Sequence, residues 1–368
     1  MNYQVQPYLG AKIDLGKGFK LSGLLSRRWR DGVVDGDKVY DERYGSKEDV
    51  PGFWYDKSLA LSHEEYGRLT IGHMLTRSRS EADYPFGSNL GLSDVWANSG
   101  AGYGMLTNAI RYQSRILDFA EGDLILEATY DRGDTDFNKN KPRFLELHAK
   151  YYRGPMELDF ILQDTKNGGP SAWGHSPFTG LTPFSEDDAL LSGSSQNMAM
   201  FMGRYWVTPL LELSAGLRRN SWSGANAVLV DPKNPLIPGD TDRWNDMFNV
   251  DWGGAGNLGY AATSYDVILG ARYRMGKWTP SIGVAHLGTA STDNPSERGQ
   301  SNSALFGVLG LQYDYGNGLR VDLQAGAVRY AQLGLSPMSM PGNDSFTGVD
   351  SRIERNGQWL TVQMTYAF

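Results

Sequence analysis

Apolar and polar residues alternate at every second position over much of this chain. Near the C-terminus, Leu360, Val362, Met364, Tyr366 and Phe368 form one row, and Trp359, Thr361, Gln363, Thr365 and Ala367 form the other. From Asp123 to Asp131, Leu124, Leu126, Ala128 and Tyr130 oppose Asp123, Glu127, Thr129 and Asp131. The stretch 143–152 repeats the pattern, with Leu145, Leu147, Ala149 and Tyr151 against Glu146, His148 and Lys150. The stretch 319–327 repeats it again, with Arg320, Asp322 and Gln324 on the polar side. A period of two belongs to β-strands whose faces meet different media. Fifteen such segments are predicted: 6–15, 19–30, 54–63, 66–75, 108–116, 123–132, 143–152, 156–166, 196–207, 210–222, 264–275, 278–288, 303–315, 319–331 and 358–368. No substantial stretch of helical period competes; residues 185–190 are predicted as one short helical turn.

The connections alternate in length. Short ones hold residues 16–18, Glu64-Glu65, Glu121-Gly122, Arg153-Gly154, Thr208-Pro209, 275–277 and 316–318, and read as tight hairpins. Long ones cover 31–53, 76–107, 167–195, 223–263, 289–302 and 332–357, with 133–142 intermediate. Strict alternation puts every tight turn at one end of a cylinder and every long loop at the other, the asymmetry of outer-membrane barrels. Aromatic residues near strand ends agree: Tyr8, Trp54, Tyr66, Tyr112, Tyr130, Tyr151, Tyr205, Tyr273, Trp278, Tyr313 and Tyr366 suit the headgroup level, where an apolar ring and a polar tip are both satisfied. The predicted fold is therefore all-β, one transmembrane antiparallel β-barrel over residues 1–368. A large soluble β-sandwich is the alternative, but it has no use for alternating turn lengths. Bacterial barrels carry an even number of strands. The expectation is a sixteen-stranded parent architecture whose first strand is absent or atypical here; a strand missed around Ala225–Val230 is the other solution.

Composition narrows the class. Among 368 residues there is no Cys, which excludes a disulfide scaffold. The longest apolar runs are far short of the roughly 20 residues of a spanning helix. Thirty-five Lys and Arg against 42 Asp and Glu give a formal charge of −7, no footprint for nucleic acid. Met1 leads directly into NYQVQPYLG, without a basic start or an apolar core segment, so no cleavable signal is visible and the chain reads as a mature form.

Three segments resemble a known family. Residues 53–74, FWYDKSLALSHEEYGRLTIGHM, resemble the strand pair before the constriction loop of the general porins of Gram-negative bacteria. Residues Asn108 to Ser114 resemble the strand after that loop, where the family carries an Asn-Ser-Val-Arg-Tyr type of run, and the terminal Phe368 resembles the family's targeting end. The chain departs from the pattern at Gly72-His73, where the family often has Gly-Arg, and in the missing first strand. The resemblance implies a Gram-negative outer-membrane location, a homotrimer in contact with lipid and lipopolysaccharide, and passage of small hydrophilic solutes. It also implies that loop 76–107 folds into the lumen as a constriction.

That loop carries Arg77, Arg79, Glu81, Asp83 and Asp94, with Gly87, Gly91, Gly100, Gly102 and Gly104, which allow a backbone to lie close to a wall. An ordinary solvated loop has the same composition. Strand alternation assigns Arg28, Arg30, Arg68 and Arg111 to the lumen, and further round Arg272 and Arg274, as a basic lining facing the acids of the loop. Glu127, Glu146, His148, Glu157, Asp159, Glu212, Arg204, Arg218 and Arg320 are also expected on polar faces. Opposed charge patches set selectivity through the local field. The basic strand residues suggest a slight preference for anions. A substrate-specific channel for sugars or small organic acids is the second reading; its candidate inward aromatics, Tyr152, Trp222, Phe306 and Tyr330, are too dispersed in sequence to define a track. A structural or adhesive barrel is the third. No enzyme is expected, since the five histidines have no metal-ligand spacing and no serine partner is assignable. No cofactor or metal is expected; Asp240, Asp242 and Asp246 lack a defined ligand spacing and read as a polar loop.

Overall fold

The computed structural model of the chain describes residues 4–30, 53–81, 92–97, 99–133, 141–168, 178, 195–223, 262–289, 291–292, 303–331 and 355–366. The predicted strand at Ala225–Val230, the turn at 185–190, Asp83, the three aspartates of 240–246 and Phe368 lie outside them, as do the side chains of Arg28, Arg30, Asp94 and Trp222.

Among the described residues, fifteen strands of nine or more residues make the wall. They are β1 Tyr8–Gly16, β2 Phe19–Arg30, β3 Phe53–His63, β4 Gly67–Leu75, β5 Met105–Gln113, β6 Gly122–Asp131, β7 Arg143–Arg153, β8 Met156–Lys166, β9 Ser195–Trp206, β10 Leu211–Ser223, β11 Ala262–Tyr273, β12 Trp278–Leu287, β13 Ala304–Asp314, β14 Leu319–Tyr330 and β15 Asn356–Tyr366. Each pairs antiparallel with the next in sequence. The short piece Leu117–Phe119 prolongs β5 along β6, and Ser291–Thr292 prolongs β12 along β11. An odd run of alternating strands leaves β1 and β15 pointing the same way. β1 and β15 are thus the two ends of the run. β1, at one of these ends, is exposed at all nine positions, whereas β8 alternates throughout.

The sheet is inverted relative to a water-soluble protein. Its outward rows are exposed and apolar, including Ile71, Ile110, Leu126, Phe160, Leu217, Ile282, Leu309 and Leu360. Its inward rows bury charge: Asp159 is 0% exposed, Glu146 1% and Arg218 2%. In water the outward rows would each forfeit about 25 cal/mol per Å² of apolar surface. A hydrocarbon surround removes that cost, and the continuous antiparallel ladders from β1 to β15 satisfy the strand backbone within the sheet. At the tight-turn end the outward rows finish in aromatics: Tyr66, Tyr112, Phe119, Tyr205, Tyr273, Trp278, Tyr315 and Tyr366 are all exposed. The Tyr112 hydroxyl donates to the Tyr66 carbonyl at 2.9 Å. Among the described residues no helix is long and apolar enough to cross a membrane, so the strands are the spanning elements.

The long connection between β4 and β5 is not a plain loop. It contains α1 Arg77–Ser80 and α2 Leu92–Ala97. Thr76 caps α1, its hydroxyl accepting from the Arg79 amide at 3.2 Å. Leu92, Val95, Trp96 and Ala97 are buried in one cluster with Ile161, Met198, Met200, Met202, Ile268, Ala285, Leu287, Ala304, Phe306, Val308 and Val328, all on inward rows of β8 to β14. A second cluster joins Met74, Tyr103, Leu106, Ala109, Phe144 and Phe178.

Candidate channel and its constriction

The inner wall carries its charges in contact with the segment between β4 and β5. Arg77 leaves the top of β4 and donates through Nε and Nη2 to Glu127 of β6, at 2.5 and 2.8 Å. The amides of Arg77 and Ser78 both donate to Glu146 of β7, at 2.8 and 3.2 Å. These are orphan amides of a helix start, and a carboxylate there complements both the N–H groups and the local dipole. Gln163 of β8 donates to Glu146 at 2.7 Å and to the Ser78 hydroxyl at 2.6 Å, while its carbonyl accepts from the Tyr103 amide at 3.1 Å. Arg111 of β5 donates to Thr129 at 2.8 Å and to the Leu75 carbonyl at 2.7 Å, with Glu146 at 3.6 Å.

Toward the tight turns the same wall continues as a chain of opposite charges. His148 Nε2 lies 2.7 Å from Asp159. Lys150 lies 2.8 Å from Glu81 and 3.0 Å from Glu157. Arg204 donates through Nε to Glu157 at 2.9 Å. Burial pushes the Glu81 carboxyl up, but the Lys150 ammonium and the Arg77 guanidinium outweigh it and hold it below the ordinary carboxylate value. Burial also disfavours the charged form of Arg77, and Glu127 and Glu81 more than offset this, so its pKa is raised.

A second anchor holds α2. Arg218 of β10 donates to the Trp96 carbonyl at 2.7 Å and to the Ser99 hydroxyl at 2.5 Å, and its guanidinium stands 4.4 Å from the Trp96 ring centroid. Asp266 of β11 accepts from Arg218 at 2.8 and 3.0 Å and from Asn220 at 2.7 Å. The Asn220 carbonyl accepts from the Ala101 amide at 2.9 Å. Gly100, between these contacts, has φ +83°, and a Cβ there would stand 2.8 Å from the Arg218 Cζ. Only glycine passes that close in this conformation.

The expected site residues are thus distributed unevenly. Arg77, Glu81, Arg111, Glu127, Glu146, Glu157 and Asp159 form one continuous ionic cluster. It mixes signs on both sides: Arg77 of the connecting segment meets Glu127 of the wall, and Glu81 of the same segment meets Lys150 of β7. Arg79 is half-buried beside Thr76. Arg68 lies on the inward row of β4, paired in register with Gln113 and Ser62. Arg28 and Arg30 lie near the long-loop end of β2. Arg272 is paired with Glu212 at 2.6 Å, and Arg320 with Asp322 at 3.0 Å. Arg218 is sealed under α2. Arg274 follows the last residue of β11 and lies exposed beside the tight turn, its amide donating to the Leu210 carbonyl at 2.8 Å. The residues that alternation did not flag are the apolar inward ones, Met198, Met200 and Met202 above all. Their signal was present: three methionines share the parity of Gln196 and Arg204, and an apolar run on a wet face marks where something covers the wall.

A membrane-spanning β-barrel with charge inside, apolar residues outside and a chain segment pinned to its inner wall is the architecture of outer-membrane porins. Three solved structures are similar to this chain in fold. The anion-selective porin from Comamonas acidovorans has 13% identity and a TM-score of 0.58, over 99% of this chain and 89% of that one. The OmpF complex with daunomycin from Salmonella typhi has 11% identity and a TM-score of 0.59, over 98% and 89%. OmpT of Vibrio cholerae, folded in vitro, has 10% identity and a TM-score of 0.57, over 100% and 96%. No family model matches the chain, and no curated protein matches its sequence.

Proposed function

We propose that this protein is a diffusion channel of the Gram-negative outer membrane for ions and small hydrophilic solutes, and that segment 76–107 narrows its lumen. The observation that carries this reading is the burial of Leu92, Val95, Trp96 and Ala97 against inward side chains of β8 to β14, and of Tyr103 and Leu106 against Met74, Phe144 and Phe178, with the outward rows left apolar and exposed. A segment so anchored covers part of the inner wall. Weak charge selectivity follows from compensation: Glu81, Glu127, Glu146, Glu157 and Asp159 lie among Arg77, Arg111, Lys150, Arg204 and His148. A slight anion preference is suggested by the basic residues of the first strands, Arg28, Arg30, Arg68 and Arg111, and a structural neighbour's own description is anion-selective. Assembly as a homotrimer in contact with lipid and lipopolysaccharide belongs to the same proposal.

Planar-bilayer recording of the refolded protein tests it. Stable ohmic steps, with a reversal potential close to zero in a salt gradient, are the expected result. Silent membranes from well-folded protein would overturn it.

A further inference from the structure

The inner wall of β13 to β15 carries an aromatic patch that the ionic constriction does not use. Phe306, Tyr330 and Trp359 lie far apart in sequence but meet on the inward face. The Phe306 ring centroid is 6.5 Å from that of Tyr330, edge-on at 88°, and 6.3 Å from that of Trp359. Phe306 is buried in the cluster beneath α2, whereas Tyr330 and Trp359 are only half-buried at its margin. The Trp359 indole lies across the wall rather than projecting from it. A Cβ on Gly326 would stand 2.1 Å from Trp359 Cζ2 and 2.3 Å from Cε2, so the absent side chain of Gly326 makes room for the ring.

Below the patch the same inward rows turn polar but stay largely uncharged. Gln324 follows Gly326 on β14, and Thr361, Gln363 and Thr365 follow Trp359 on β15. Gln312 of β13 donates to Asp322 at 2.7 Å, and Asp322 also pairs with Arg320 at 3.0 Å. An apolar, flat surface beside a short ladder of amide and hydroxyl groups is chemistry for a solute with one apolar face and a rim of hydroxyls. Asp322 and Arg320 are paired with each other here, so a charged solute would find more counter-charges in the cluster around Glu127 and Arg111.

We infer that Trp359 and Tyr330, backed by the buried Phe306, form a stacking platform for a carbohydrate ring, with Gln324, Thr361 and Gln363 reading its hydroxyls. The inference rests on the channel reading and adds a solute class to it. A sugar would settle its C–H face on the indole beside α2 and move on toward the tight-turn end along the neutral ladder.

Ion current through the full chain in planar bilayers, titrated with maltotriose, tests this, with polyethylene glycol of similar size as a probe that has no ring. Saturable block by maltotriose alone is expected. Trp359→Ala raises the half-blocking concentration about tenfold, the equivalent of losing one aromatic stacking contact, while Trp359→Phe keeps it within about threefold. Current reduction that is linear, equal for both probes, or unchanged in Trp359→Ala overturns the platform and leaves the channel standing. If the folded protein gives no steps, the channel reading falls; quenching of tryptophan fluorescence by maltotriose in detergent, present in the parent and lost in Trp359→Ala, then still decides the platform, and its absence in the parent refutes it.

Discussion

Replacing Arg218 by Met keeps most of the side-chain volume and removes the guanidinium that ties α2 to β10 and β11. The parent side chain is 2% exposed and its partner Asp266 is 4% exposed. Arg218→Met deletes two hydrogen bonds to Asp266, one each to the Trp96 carbonyl and the Ser99 hydroxyl, and the contact with the Trp96 ring. Removing one partner of a buried ion pair costs about 3–5 kcal/mol. Asp266 keeps its bonds from Asn220 and from the Gly288 amide at 2.9 Å, so the low end, about 3 kcal/mol, applies here. The wall around it is held by continuous ladders, so the loss falls mainly on the attachment of α2. At 1.4 kcal/mol per factor of ten, detachment becomes about a hundredfold more populated. Amide hydrogen exchange reads this directly: protection at Ala101, whose amide is bonded to Asn220, falls by about two orders of magnitude, while protection in β13 and β14 is unchanged. Open-channel noise rises in the same variant. Parent-like protection at Ala101 in a folded Arg218→Met barrel would refute the assignment of α2 to this anchor.

Three further outcomes follow from other contacts. Glu146→Ala strips the Arg77 and Ser78 amides and Gln163 of their shared acceptor, so exchange at residues 77 and 78 should accelerate by at least tenfold, with β7 itself still protected. Leu309→Arg, at a position 61% exposed on the outward row of β13, should cost about 2–4 kcal/mol in urea titrations of the lipid-embedded barrel, against less than about 1 kcal/mol for Thr361→Arg on an inward row; equal costs would contradict the orientation of the wall. Because the Glu81 carboxyl is held below its ordinary value of 4.5, its attachment to Lys150 and Arg77 is complete above that pH and is lost as pH falls through the lower folded value. Channel noise should therefore be flat from pH 7 to 5 and rise only below the ordinary carboxylate value, and Glu81→Gln should abolish that step.

The strands were legible in the sequence because the two media impose the pattern residue by residue. The segment read as 143–152 is β7, Arg143–Arg153, and that read as 123–132 is β6, Gly122–Asp131. The ends are less well defined, as at 108–116 against Met105–Gln113, since an inward apolar residue such as Leu106 breaks the alternation where the connecting segment covers it. The same cause hid the apolar half of the inner wall: Met198, Met200 and Met202 obey the contact with Trp96, not the rule that lumen residues are polar. α2 has six residues, too few for a helical period to register. Arg218 reads as one more lumen arginine because its partner Trp96 lies 122 positions away.

Everything functional depends on which row of each strand meets water. The chain contains no cysteine, so single cysteines introduced at Leu360, Thr361, Val362 and Gln363 report on β15 alone. In the lipid-embedded protein a membrane-impermeant thiol reagent should label positions 361 and 363 rapidly, while fluorophores at 360 and 362 should be quenched by brominated acyl chains. Labelling that is uniform along the strand, or quenching at 361 and 363 with aqueous access at 360 and 362, would contradict the account.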